Sequence, residues 1–320
     1  MTMGYMEFVK ELTGYMAKET GFDQKRIYFK REGEVPALKG DRLFVVVAER
    51  EGSKEAIGLF ARNLYERYLS GCRMEDIAAG IMEEVCRVEK SEYILRAADM
   101  KDYGKIKKDL FVRPMNENWN REKLADAVFC SVGDIALVLY FRAGESGDSL
   151  VSIMVTKEYP ELWGVAPEEL LQTAMKNTLA MAPPRFFCME GMWSGPEEYQ
   201  GEDFMDADPD MRVMMKYPGT CLTTARKSDG AAAVFLPGVA ERIAELLNGS
   251  FLIAFTSVHE AMIHAEGQLD IRKIRECLKA VNNTLVPPEE RLSYHVYRYD
   301  RDKKEFGICD ENGRNRRRKG

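Results

Sequence analysis

The sequence predicts an α+β protein of mixed, largely antiparallel sheets with packed helices, arranged in two subdomains. Three observations carry this. Several segments repeat apolar residues at i, i+3, i+4 and i+7, the spacing of one helical face. Others are short apolar runs separated by two-residue turns, the connection that antiparallel strands use and parallel strands cannot. The 45% hydrophobic and 31% charged residues, over 320 positions, suit a chain that buries a core without metal or disulfide support. The expected division is an N-terminal α/β subdomain over residues 1–110, a C-terminal α+β subdomain over 111–310 and a basic, disordered tail over 311–320.

In chain order, Phe8, Leu12, Tyr15 and Met16 follow helical spacing until Gly21 stops it. β-Branched and aromatic residues at Ile27–Phe29 and Leu43–Val47 predict strands. Ile57, Phe60, Ala61, Leu64 and Tyr68 read as one helical face ending at Ser70-Gly71. Met74, Ile77, Ala78, Ile81, Met82 and Val85 read as another. Lys101–Lys108 is polar and reads as a connection. Ala127–Val132 and Ile135–Phe141 flank Gly133-Asp134, a hairpin signal, and Leu150–Val155 adds a third strand to an antiparallel meander.

Pro167 opens a helix at its first position, with Glu168 and Glu169 near the positive end of the helix dipole; Pro183-Pro184 ends it. Residues 189–219 read as a long irregular stretch, a length that marks functional or mobile loops. Leu222-Thr223 and Ala231–Phe235 read as strands around a turn at Ser228-Asp229-Gly230. Pro237 starts a helix stopped by Asn248-Gly249, Phe251–Phe255 is a short buried strand, and Asp270 is the N-cap of a helix bearing Ile271, Ile274, Leu278 and Val281. Tyr294–Tyr299 and Glu305–Ile308 form a closing hairpin.

Composition narrows the chemistry. The seven cysteines are widely spaced, which excludes zinc knuckles and thioredoxin-type pairs and suits free thiols in a reducing cytosol. Residues 1–10 show no secretory apolar core, and no run approaches the 18 apolar residues of a membrane helix, so the expectation is a cytoplasmic protein with no membrane partner. Net charge is −6, but residues 311–320 hold five basic side chains and one acid, leaving the remainder near −10. Such a body repels nucleic acid; weak contact through Arg314, Arg316, Arg317, Arg318 and Lys319 is the exception. The plainer reading of that tail is a solvated terminus.

No phosphate loop, GxGxxG, GxSxG or HExxH is present. Among three histidines, His259 and His264 come nearest to a zinc-protease pair, but they stand five apart and a helical pair needs four. The surviving catalytic candidates are Ser257, His259 and Glu260, which follow a buried strand. In an extended chain Ser257 and His259 project the same way and Glu260 the other. The alternative is that His259 and Glu260 satisfy backbone groups or nearby charges.

Seven carboxylates crowd residues 197–210. Asp206, Asp208 and Asp210 imitate the start of a calcium loop, but Met211 and Tyr217 stand where Gly and Glu are required. The stretch reads as a solvated loop or as a surface for a protein partner, with Trp193 as anchor and Glu197, Glu198 and Asp203 around it. No metal and no cofactor are expected.

Leu64-Tyr65-Glu66-Arg67-Tyr68-Leu69-Ser70-Gly71, Val112-Arg113-Pro114-Met115-Asn116, Ile153–Thr156 and Asn177-Thr178 form a recurring set. With it go Ser257-Val258-His259-Glu260, Val281-Asn282 and Tyr297-Arg298-Tyr299-Asp300. Together they resemble the bacterial family named domain of unknown function 5688, over roughly residues 5–308. The chain is similar, more distantly, to the YtpQ-like family. The resemblance implies a bacterial cytosolic protein without established catalytic chemistry. In the relatives an Ile-Leu-Pro-Ser run precedes the Ser-x-His-Glu element, whereas Ile253-Ala254-Phe255-Thr256 stands here. The favoured expectation is a non-enzymatic binding or accessory protein that meets another protein through 189–219. The alternative is an acid–base, hydrolase-like enzyme using His259 with Glu260 or Ser257.

Overall fold

The computed structural model describes residues 3–20, 23–34, 40–50, 53–89, 96–97, 99–146, 149–188, 199–206, 219–309 and 315–316. It has the α+β architecture, with three mostly antiparallel sheets. Contacts divide the chain into two compact units, residues 1–98 with 143–147, and residues 99–142 with 148–320.

In the first unit, α1 (Tyr5–Thr20), α2 (Ala61–Leu69) and α3 (Met74–Glu89) accompany a sheet ordered β1 (Ile27–Lys30), β2 (Arg42–Arg50), β3 (Ser53–Phe60). Its core joins Phe8, Leu12 and Met16 of α1 with Leu43, Val45 and Val47 of β2 and Ile77, Ile81 and Val85 of α3. Alternation along β2 and helical spacing along α1 and α3 put these apolar residues on facing surfaces. The predicted helical face from Ile57 is corrected. Ile57 and Phe60 end β3, paired with Val45 and Arg42, and α2 starts only at Ala61. Pairing with a distant strand overrides a local period that straddles the junction.

The second unit begins with α4 (Tyr103–Ile106) and a 3₁₀ turn at Lys107–Asp109, where a polar connection was expected; Ile106 and Asp109 are buried there. A four-stranded sheet follows, with β4 (Leu110–Asn116), β5 (Phe129–Val132) and β7 (Ser149–Met154) all pairing with β6 (Ile135–Ser146). The hairpin at Gly133-Asp134 is present. Gly133 has φ +64°, and a Cβ there would lie 2.3 Å from the Tyr297 hydroxyl, so only glycine fits. Short helices α5 (Arg121–Leu124) and α6 (Glu158–Trp163) precede α7 (Pro167–Met181), which packs on β4; the Thr178 hydroxyl accepts from Val112 N at 3.0 Å.

The seven-stranded sheet runs β14 (Asn315–Arg316), β13 (Glu305–Cys309), β12 (Val296–Asp300), β10 (Phe251–Phe255), β11 (Ala261–Ala265), β9 (Thr220–Thr224), β8 (Pro184–Phe187). Ala231–Phe235, read above as a strand, is a 3₁₀ helix over Gly230–Phe235. Lys227 and Asp229 adopt positive φ just before it, which turns the chain out of the extended path, and three alanines supply little β preference. Then come α8 (Val239–Leu246) and α9 (Ile271–Thr284), the latter capped as anticipated by Asp270, whose carboxylate accepts from Arg272 N at 2.8 Å. The cysteines are all free thiols. Among the described residues no helix is long and apolar enough to cross a membrane.

Candidate functional site

β10 alternates sharply in size. Phe251, Ile253 and Phe255 face one side of the sheet; Leu252 and Ala254 face the other. Antiparallel register sets Ala254 opposite Met262, Leu252 opposite His264, and Met262 opposite Cys221, so Cys221, Ala254, Met262 and His264 share one face. α9 lays Ile274 and Leu278 over that face. Two of the floor residues are small, and a cavity of about 680 Å³ lies between sheet and helix. The floor is these four residues. The roof is Ile274, Cys277, Leu278 and Val281, and Leu285, Val286 and Pro287 border it past the end of α9, with Leu285 70% exposed.

The polar groups gather where β10 turns into β11. Residues 257–259 form a bend, not the extended chain assumed above. Backbone bonds hold it from two directions: Val258 N donates to Glu290 O at 2.8 Å, and Ala231 N donates to Val258 O at 3.2 Å. The Thr223 hydroxyl donates to His259 O at 2.7 Å. Asp229 N donates to His259 Nδ1 at 3.2 Å, which turns Nε2 toward Glu290, 3.7 Å from its Oε1. The Asp229 carboxylate is in turn held by Arg113 Nε at 2.7 Å, and Arg113 also donates to the Ser152 hydroxyl at 2.8 Å. A Cβ at Gly230 would come within 2.1 Å of Thr223 Oγ1, so the turn seats directly against this bend.

Ser257, His259 and Glu260 therefore do meet at one mouth of the cavity, but in other roles than a dyad. The Ser257 hydroxyl is buried and accepts from His259's own N–H at 2.9 Å; it has no bond to the imidazole. Glu260 Oε1 accepts from the Thr256 hydroxyl at 2.8 Å. The carboxylate nearest the imidazole is Glu290, thirty-one positions further on. No local spacing reveals such a partner, since it depends on how the chain returns after α9.

His264 lines the other end of the cavity. It is 6% exposed, and its buried Nδ1, which lies against Gly219, has no hydrogen-bond partner among the described residues. Burial pushes its pKa down to about 4, so the ring is neutral at physiological pH. Burial, with the nearby Glu260 charge, pushes the Cys221 thiol up, which keeps it protonated and a poor nucleophile. Among the described residues no three His, Cys, Asp or Glu side chains gather as a metal-binding group.

A family model described as "Family of unknown function (DUF5688)" matches residues 5–301. The chain belongs to that family. No curated protein and no solved structure matches it. In this DUF5688 member, Trp193, Glu197 and Glu198 lie outside the described residues, as do Asp208 and Asp210 of the calcium-like stretch. Asp203 is a local organiser: it pairs with Arg185 at 3.2 Å and accepts from Met205 N at 3.1 Å.

One further polar cluster escaped the sequence reading. The buried Asp134 carboxylate accepts from the Tyr297 hydroxyl at 2.5 Å, the Ser293 hydroxyl at 2.9 Å and Asn116 Nδ2 at 3.1 Å. Asp134 N donates back to Tyr297 at 2.9 Å. Burial and the adjacent carboxylate push the Tyr297 phenol far up, so it stays a donor. This brace ties the β5–β6 turn to β12.

Proposed function

We propose that the chain binds a small, largely apolar molecule in the cavity beneath α9. The single observation that carries this is a cavity of about 680 Å³ with an apolar floor and roof and polar groups at its two ends. That size and that lining are those of small-molecule sites. The space is open to solvent along exposed Cys277 and Leu285, and the small side chains of Ala254 and Cys221 leave room at its floor. The test is titration with the uncharged fluorescent probe N-phenyl-1-naphthylamine. Saturable binding of one probe per chain is expected, together with its loss in C277W, which drives an indole into the roof from an exposed helix position. Non-saturable fluorescence, or equal binding by a folded C277W, would refute the reading.

A second reading, acid–base catalysis on a bound molecule, is favoured by one feature: His259 is oriented by Asp229 N and presents Nε2 toward Glu290 at the cavity mouth. Histidine suits proton transfer near neutral pH. It would act with Glu290, while Ser257 and Glu260 hold the bend and the mouth. Turnover of a bound compound that is lost in H259Q but not in S257A would support it; a bound compound recovered unchanged would not.

A further inference from the structure

We infer that the molecule held in this cavity carries a protonated amine at one end. The inference rests on the ligand-binding reading above and names the ligand's polar head.

The mouth near the β10–β11 bend presents two half-buried carboxylates, Glu260 and Glu290. Glu260 receives one neutral hydroxyl, from Thr256. Glu290 lies 3.7 Å from His259 Nε2, and its side chain is 42% exposed. Among the described residues no lysine or arginine lies within ion-pair distance of either, although most carboxylates with a defined role in this unit (Asp109, Asp203, Asp229, Asp300) have such a partner. Two neighbouring acids with no cation attract a cationic head and repel an anionic one, and the low-dielectric wall beside them strengthens both effects. Lys273 also borders the cavity, but it is solvent-exposed on α9, where water and salt screen it.

The second, independent sign of a ligand is His264. A buried ring nitrogen without a hydrogen bond, His264 Nδ1, is costly, and the ring that carries it lines the same cavity. It stands four residues along the strand path from Glu260, roughly 13 Å at the rise of an extended chain. The geometry points to an amphipathic amine whose apolar body lies along Met262 and Leu278. A longer ligand reaches His264 with a hydrogen-bonding group.

The experiment is displacement of N-phenyl-1-naphthylamine from the full chain by decylamine, decanol and decanoate, in wild type, E260Q, E290Q and the double variant, with melting curves as the folding control. All three share one tail, so head charge alone differs. Decylamine is expected to displace the probe at about tenfold lower concentration than decanol, and decanoate at higher concentration than decanol, as charge-assisted contact at a half-buried site provides. E260Q/E290Q should bring decylamine to the level of decanol. Equal potency of amine and alcohol in wild type, or an amine preference that survives the double variant, overturns the inference while leaving the cavity reading in place. Failure of the probe and of decanol to bind at all overturns both.

Discussion

The two faces of β10 are made by the same five residues and come out opposite. On one, Phe251, Ile253 and Phe255 are fully buried, and aromatic rings close round them: Phe235 stacks on Phe255 at 5.6 Å, Tyr297 meets it edge-on at 5.2 Å, and Tyr299 lies 5.3 Å from Phe251. On the other, Leu252 and Ala254 are also buried and pack with Ile274 and Leu278 of α9, but a cavity opens beside Ala254, Met262 and His264. A strand can fill one side and leave room on the other because side chains alternate, so the choice of residue at every second position sets each face independently. The difference teaches where this molecule stores stability and where it keeps space.

That contrast predicts a large asymmetry in mutation. F255A should cost about 3–5 kcal/mol in denaturant unfolding, since the rigid ring cluster cannot collapse into the gap. A254L, the neighbouring position on the other face, should change stability by less than about 1 kcal/mol and weaken probe binding. Equal costs for the two would break the comparison.

His264 sharpens it through pH. An unfolded histidine takes its proton near pH 6.5, whereas burial lowers the folded value to about 4. Between these values the unfolded state holds the extra proton. The stability tied to this neutral ring is therefore complete above about pH 6.5 and is lost as pH falls toward 4, by about 3 kcal/mol. H264L should flatten that part of the stability–pH curve relative to wild type; an unchanged difference between pH 7 and 4.5 would show that the ring is not buried without a partner.

The brace behind the packed face comes next in size. Y297F keeps the ring in place but removes the hydroxyl that donates to Asp134 at 2.5 Å and accepts from Asp134 N. The expected loss is about 1–3 kcal/mol by thermal or denaturant unfolding. The smallest effect belongs to the roof: D270A should cost about 1 kcal/mol by removing the cap of α9, and it should raise the probe's dissociation constant through fraying at the end of α9 nearest His264.

Much of this was legible along the chain. The α3 face, the Gly133-Asp134 turn, the proline-led α7, the β10 run and the Asp270 cap each follow from local spacing or turn chemistry. What was not legible depended on distant partners. Phe60 lies on a strand because Arg42 pairs with it, and Gly230–Phe235 coils because Arg113 and Thr223 hold the turn before it. The site was half-legible in the same way. Ser257, His259 and Glu260 do lie at the cavity mouth, yet Glu290 and the cavity itself exist only once α9 has crossed the sheet. The one local signal was Ala254, a small residue between isoleucine and phenylalanine in a buried strand.

Thiol footprinting tests the central claim most directly, because Cys277 borders the cavity and Cys86, on α3, is equally an exposed helix cysteine that does not line it. With alkylation rates at both sites followed by mass spectrometry, saturating decanol should slow modification of Cys277 severalfold and leave Cys86 unchanged. Equal rates at Cys277 with and without bound alcohol would mean that nothing occupies the space under α9.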